Sequence, residues 1–358
     1  MRSVQLRRVA AFAFLAGVLA EPVLAQQKIS ITIAAGQPPR AIPGLALISE
    51  FFIPEVNKRI SARAPGIEIV WKEAYAGSLI KPYGILDGIK DGIADIGYIP
   101  TVFFPDKLPL ESVTFYAPFI TSDVALMGRV MGALYKSIPE MSGQYDAFNQ
   151  VRLGGHAYDS FELLTTFPVR KFDDLKGRKI ASAGGALAWL RGTGAVTVQS
   201  NMMEYYTGTK NGVFEGFISA PSAFPGLKFP EAAPYTTRLG FGAQYATALT
   251  INKAAYEKLP EAVRKILHEV GDEWSVRADQ ALQKAGDAGI ASVPGFKGQV
   301  YELPREERVR WANAMPNIAK EWARDAEKRG HPGGKVLAAF MAEVRKAGIK
   351  PIRDWDKD

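Results

Sequence analysis

Ser78 and Lys81 stand in the run Ser-Leu-Ile-Lys, the S-x-x-K spacing in which a lysine can activate an acylating serine. The partner motifs S-D-N and K-T-G are absent from the chain, and a serine just before a helical stretch also reads as its cap. Asp87, Asp91 and Asp95 lie close together, but Asp95 falls beyond the helix stop at Gly92, so they form no dyad or metal cage. The chain has three histidines, His156, His268 and His331, without metal-ligand spacing, and no cysteine. Thiol nucleophiles, cysteine zinc sites and iron–sulfur clusters are therefore excluded. G-x-S-x-G, H-E-x-x-H and G-x-x-x-x-G-K-[ST] are all missing. This inventory predicts no catalytic residue, no metal and no cofactor.

The elements that would position any site begin after an export signal. Arg2, Arg7 and Arg8 precede the apolar stretch 9–20, and Val23-Leu24-Ala25 supplies small residues for cleavage after Ala25. Residues 1–25 thus read as a signal peptide, and no later stretch is long and apolar enough to span a bilayer. Cleavage removes three arginines and one glutamate, which lowers the net charge from +7 to +5. The remaining charges are scattered, and no run of five Lys/Arg occurs. Nucleic acid and direct membrane insertion are not expected.

Residues 28–33 alternate in the β period, 43–62 are helical, 67–71 form a strand, 82–90 a helix and 94–99 a third strand. Strand–helix alternation predicts a parallel sheet covered by helices. "KDGIADIGYI" at 90–99 can be laid on "KNGVFEGFIS" at 210–219. That match suggests a second lobe of the same kind, although Gly92 and Gly212 also suit helix C-caps. Another strand is expected at 246–252. A long helix follows from Pro260, with Val263, Ile266, Leu267, Val270, Trp274, Ala278, Ala281, Leu282 and Ala285 on one face.

Ligands of open α/β sheets sit beyond the carboxyl ends of the strands. Those ends fall at 34–37, 74–77, 98–101, 181–184 and 217–222, and they carry Gln37, Tyr75, Tyr98 and Phe217. A two-lobed exported protein with this pattern and no catalytic set is expected to close on a small solute.

The stretch "AYAGSLIKPYGILDGIKDGIADIGYIPTVFFPDKLPLESVTFYAPF" (74–119) resembles the first-lobe signature of the DctP-type solute receptors of TRAP transporters. "FDDLKGRKI" (172–180) and "GAVTVQSNMMEYYTGTKNGVFEGF" (194–217) are similar to the family's second-lobe segments, in the same order. The resemblance implies an α/β fold of the class II periplasmic binding proteins: two mainly parallel sheets, joined by crossings, with a long helix across both lobes. It implies one lobe of 26–153 plus about 246–282, and another of 154–245 plus about 283–358. It further implies a periplasmic receptor, not an enzyme, which hands a small-molecule solute to an ion-driven TRAP-type permease. A serine hydrolase using Ser78 and Lys81, or a receptor feeding a sensor protein, are the alternatives.

In that family an arginine that clamps the solute carboxylate usually follows the segment matching "DLKGRKI"; here Ala181 stands there. The polar residue usual after the later strand is also replaced, by Phe217-Ile218-Ser219-Ala220. The expected ligand residues are Gln37, Tyr75, Tyr98, Tyr158, Ala181, Gly184, Phe217 and Ser219. Without the clamp, an aromatic or hydrophobic acid is expected first and a neutral polar molecule second, held in part by the free N–H groups of a helix over 185–191. Arg40, Arg170 or Arg191 could replace the clamp.

Overall fold

The computed structural model describes residues 27–357. The signal segment 1–25 and its cleavage after Ala25 lie outside the described residues. Eleven strands are described: β1 (Gln27–Ala35), β2 (Ile67–Ala74), β3 (Ile96–Pro100), β4 (Gln150–Tyr158), β5 (Glu162–Thr165), β6 (Lys179–Ser182), β7 (Val196–Gln199), β8 (Gly216–Ser219), β9 (Tyr235–Arg238), β10 (Gln244–Asn252) and β11 (Gln299–Glu302). They form two sheets, ordered β2-β1-β3-β10-β4 and β11-β9-β5-β8-β6-β7. Helices cover both, giving the α/β class predicted from the alternation.

Each sheet is parallel except for one strand. β1 pairs parallel with β2 and β3, while β10 runs antiparallel to β3 and β4. In the second sheet β5 opposes β8 and β9. The reason is the crossings. β4 ends at Tyr158 and β5 begins at Glu162; β9 ends at Arg238 and β10 begins at Gln244. Each crossing leaves one sheet at the carboxyl ends of its parallel strands and enters the other at the same side. The entering strand must therefore run backwards, and both sheets turn their strand ends to a common cleft.

The expected lobe boundaries do not coincide with these elements. The break at 153/154 falls inside β4, which pairs with β10 from Gln150 to Tyr158. The break at 245/246 falls inside β10. The segment containing helices Val113–Tyr116 and Val124–Ser137 shares its core with the second sheet and the C-terminal helices. Tryptophan N–H groups stitch this core: Trp189 Nε1 donates to Phe115 O (2.5 Å), Trp311 Nε1 to Trp189 O (2.7 Å), and Trp322 Nε1 to Pro109 O (3.1 Å). Buried indoles are placed where their single polar group finds a carbonyl. Asp123 caps helix Val124–Ser137 by accepting from Leu126 N at 2.8 Å. Asp123→Ala is expected to cost about 1 kcal/mol, read as a lower urea midpoint at unchanged slope.

The long helix is one continuous element, Glu261–Ser292, and it buries the face predicted from the apolar spacing except Ala281 and Ala285, which are partly exposed. Trp274 on that face donates Nε1–H to Gly44 O at 3.0 Å. Two glycines let the helix lie close to both lobes. A Cβ at Gly271 would stand 2.2 Å from Leu153 O on β4, and one at Gly289 would stand 1.9 Å from Pro221 O just beyond β8.

Candidate functional site

A cavity of about 710 Å³, counting its open mouth, lies in the common cleft. The first sheet's side supplies Gln37 after β1 and Pro100, Val102 and Phe103 at and after β3. The second sheet's side supplies Ser182 and Ala183 at the end of β6, Asn201 and Met202 after β7, and Ser219 and Ala220 at the end of β8. Tyr158 and Phe161, at the first crossing, form part of the floor, with Ala246 from β10. The sheet topology thus accounts for the site, because parallel strands from both lobes end on the same space.

Of the residues expected at the ligand, Gln37, Tyr158 and Ser219 line this cavity. The others do not. Ala181 and Ser182 are neighbours on β6, so their side chains point to opposite faces. Ala181 is buried in a cluster with Leu164, Tyr205 and Phe217, and Ser182 takes the wall position. Phe217 is stacked beneath Tyr205, with ring centroids 4.7 Å apart, and Tyr205 lines the cavity in its place. Tyr98 is fully buried edge-on to Trp274 and supports Tyr158 from behind. Tyr75 is half-buried beside Ser49, whose hydroxyl donates to it at 3.4 Å. Gly184 makes a contact between lobes. It has a positive φ of 53°, and a Cβ there would lie 2.9 Å from Val102 Cγ2. The helix expected over 185–191 is a 3-10 segment, Gly184–Leu190.

Sequence reasoning missed Phe103, Asn201, Met202 and Tyr205. The last three follow β7, a four-residue strand, Val-Thr-Val-Gln, whose alternation was the available signal. The strand lies at the sheet edge and is largely exposed, so no buried apolar run marked it.

Among the described residues, no Asp, Glu, Lys, Arg or His lines the cavity. Its polar wall groups are neutral: Gln37, Tyr158, Ser182, Asn201, Tyr205 and Ser219. Gln37 Oε1 and Ser182 Oγ are buried and have no hydrogen-bond partner among the described residues. Such groups cost about 1–3 kcal/mol each when left unpaired. The arginines proposed as substitutes are elsewhere. Arg191 pairs with Glu321 (2.5 Å), Arg170 lies against the Tyr301 ring (4.8 Å), and Arg40 is exposed off the wall.

A hydrogen-bond chain runs behind the floor. His156 Nδ1 lies 3.0 Å from Ala157 O, which can only accept, so Nδ1 carries the proton. His156 Nε2 then accepts from the Tyr98 hydroxyl at 2.9 Å, and Tyr98 Oη accepts from Tyr158 at 3.3 Å. Burial lowers the His156 pKa to about 4, so the ring is neutral and the polarity of the chain is fixed at ordinary pH.

Carboxylates hold the crossings. Glu162 Oε2 accepts from Leu239 N (2.5 Å) and Gly240 N (2.9 Å), and its Oε1 accepts from Ser160 Oγ (2.9 Å). Ser160 Oγ in turn accepts from Gly242 N at 3.2 Å. Asp159 Oδ2 accepts from Ser222 N at 2.9 Å, and Asp279 of the long helix accepts from Ala157 N at 2.8 Å. Ser78 and Lys81 are both exposed and lie outside the cavity wall. Ser78 caps nothing: Lys81 precedes the next 3-10 turn, which has no side-chain cap.

The family model of the bacterial extracellular solute-binding proteins, family 7 (DctP), matches residues 58–325. A solute-binding protein of Albidiferax ferrireducens is 29% identical over 175 residues, 48% of this chain and 51% of that protein. The chain spans about half the length of the curated relatives it matches. Among solved structures, a TRAP solute-binding protein from Rhodoferax ferrireducens, in complex with copurified benzoate, superposes with a TM-score of 0.76 at 20% identity, covering 89% of this chain and 98% of that one. DctP7, a Bordetella pertussis extracytoplasmic solute receptor binding pyroglutamic acid, gives 0.72 at 20% identity, covering 87% and 99%. At such identities the likeness establishes the fold, and the two-sheet cleft described above is that fold. The match of the family model over most of the chain carries the assignment further: the chain belongs to family 7 of the bacterial extracellular solute-binding proteins.

Proposed function

We propose that this protein is the periplasmic receptor of a TRAP-type transporter, exported by cleavage after Ala25, and that it captures an aromatic or hydrophobic monocarboxylic acid in the cleft and delivers it to an ion-driven permease. The observation that carries the ligand class is the cavity wall. Phe103, Phe115, Phe161, Tyr158 and Tyr205 surround a space without a charged side chain. Aromatic faces suit a flat apolar body, and a dicarboxylate would bring two charges to a wall that can neutralise neither. Benzoate copurified with the Rhodoferax protein and pyroglutamic acid bound to the Bordetella one are two candidates of different polarity. The apolar wall favours the former. No described helix is long and apolar enough to cross a membrane, which fits a receptor that meets its permease from outside the bilayer.

A thermal-shift series tests this reading. Benzoate at 100 times its dissociation constant is expected to add about 2.7 kcal/mol of stability, with succinate and malate inactive. Ser78→Ala is expected to leave the benzoate shift unchanged. A response to succinate alone would refute the ligand class, and loss of the shift in Ser78→Ala would reopen the serine site.

A further inference from the structure

We propose that the cavity takes its acid in the neutral carboxylic form, with the Gln37 amide as its hydrogen-bond complement and Ser182 as a second partner from the facing lobe. This rests on the reading of the cleft as an aromatic-acid site and specifies the protonation state it selects.

The geometry supplies the argument. Gln37 is 9% exposed and Ser182 0%; both line the cavity, and Gln37 Oε1 and Ser182 Oγ have no hydrogen-bond partner among the described residues. An amide presents one donor and one acceptor side by side. A carboxylic acid presents the matching acceptor and donor, so the two close a pair of hydrogen bonds. A carboxylate has only acceptors, and one of its oxygens would face the amide oxygen. This holds whichever way the amide is turned, because one donor and one acceptor are always offered. Tyr158 is bonded to Tyr98 at 3.3 Å, and the remaining wall donors, Ser182, Ser219, Asn201 and Tyr205, are neutral and can serve either form of the acid, so the complement at Gln37 and the lack of a charged wall group discriminate between them.

Two costs oppose each other. At neutral pH an acid with a pKa of about 4 is about a thousandfold depleted in its neutral form, equivalent to ~4 kcal/mol. Burying an unpaired carboxylate also costs several kcal/mol, and a buried group without a cation responds by keeping its proton. The protein's own carboxyls show this response at the crossings. Burial raises Glu162 to about 7 and Asp159 to about 6 although each accepts backbone N–H bonds. A ligand carboxyl in the cavity meets no cation among the described wall residues. The titratable wall residues are Tyr158 and Tyr205, which burial keeps neutral; His156 behind them is neutral, and Arg40 and Lys81 are exposed outside the wall.

Benzoic acid and benzamide, titrated calorimetrically against the mature chain between pH 5 and 8, separate the possibilities. Benzamide keeps the shape and cannot ionise. Any effect of Asp159 or Glu162 titration on the crossings would act on both probes, whereas ligand protonation acts on one. The expected result is benzoic acid affinity falling about tenfold per pH unit, uptake of one proton on binding seen in buffers of different ionisation enthalpy, and a flat profile for benzamide. Gln37→Leu should weaken both probes at least tenfold, and Arg40→Ala should weaken neither. Benzoate binding that is independent of pH without proton uptake, or lost in Arg40→Ala, would overturn the inference and leave the proposed function standing. Failure of both probes to bind at every pH would overturn the ligand class, and the inference with it.

Discussion

Replacing Ala181 with arginine is expected to cost about 3–5 kcal/mol of stability, as for an uncompensated buried charge, and to add no affinity for dicarboxylates. The resemblance to the family places a carboxylate-clamping arginine at this position, so a restored clamp would be the natural expectation. The packing argues otherwise. Ala181 is fully buried among Leu164, Tyr205, Phe217, Phe224 and Phe229, and the wall position on β6 belongs to Ser182. A guanidinium at 181 would have to enter an aromatic cluster with no carboxylate in it. Ser182→Arg is the control, because it sets the charge on the cavity wall. It should retain more of the urea midpoint than Ala181→Arg, and it should abolish benzamide binding by filling the space. An Ala181→Arg protein with an unchanged midpoint and new succinate affinity would show that residue 181 still addresses the ligand.

How far the site was legible in the sequence follows from what each signal measures. The strand–helix alternation and the apolar face of helix Glu261–Ser292 report burial, and both led to the correct elements. Two of the strand ends read from the sequence reach the cavity, at Gln37 and Ser219. Which side chain of a strand end faces the cavity depends on register, and a shift of one residue reverses it. Hence Ala181 stood in for Ser182. Aromatic residues at strand ends suggest ligand walls, yet Tyr98 and Phe217 serve as the layer behind, supporting Tyr158 and Tyr205. Neither role leaves a mark in residue type. The lobe boundaries were misplaced for another reason. They follow from the resemblance to the family, whereas β4 and β10 pair from Gln150 to Tyr158 and run to the cleft where the chain crosses.

The crossings should make stability fall as the pH rises, and Glu162→Gln should remove much of that slope. Glu162 is the first residue of β5, and its carboxyl ties the first crossing to Leu239 and Gly240 of the second. Burial is the largest influence on it and raises its pKa from the usual 4.5 to about 7, with the backbone N–H groups and Ser160 opposing. The folded state therefore binds a proton more tightly than the unfolded chain. Its contribution is fully present below the unfolded pKa of 4.5 and is lost as the pH rises through about 7. Between pH 5 and pH 8 this amounts to on the order of 2–3 kcal/mol. Asp159, raised to about 6, and Asp279, also raised by burial, act with the same sign. Some slope must therefore remain after Glu162 is replaced. Glutamine keeps an oxygen for the two backbone N–H groups, and its amide can donate to Ser160 once that hydroxyl turns, so the substitution removes the titration more than the contacts. Urea denaturation at pH 5 and pH 8 reads the difference directly. The wild-type protein should lose about 2–3 kcal/mol more than Glu162→Gln over that interval. Parallel losses in the two proteins would mean that Glu162 stays ionised in the folded state, and that the backbone N–H groups of the second crossing outweigh its burial.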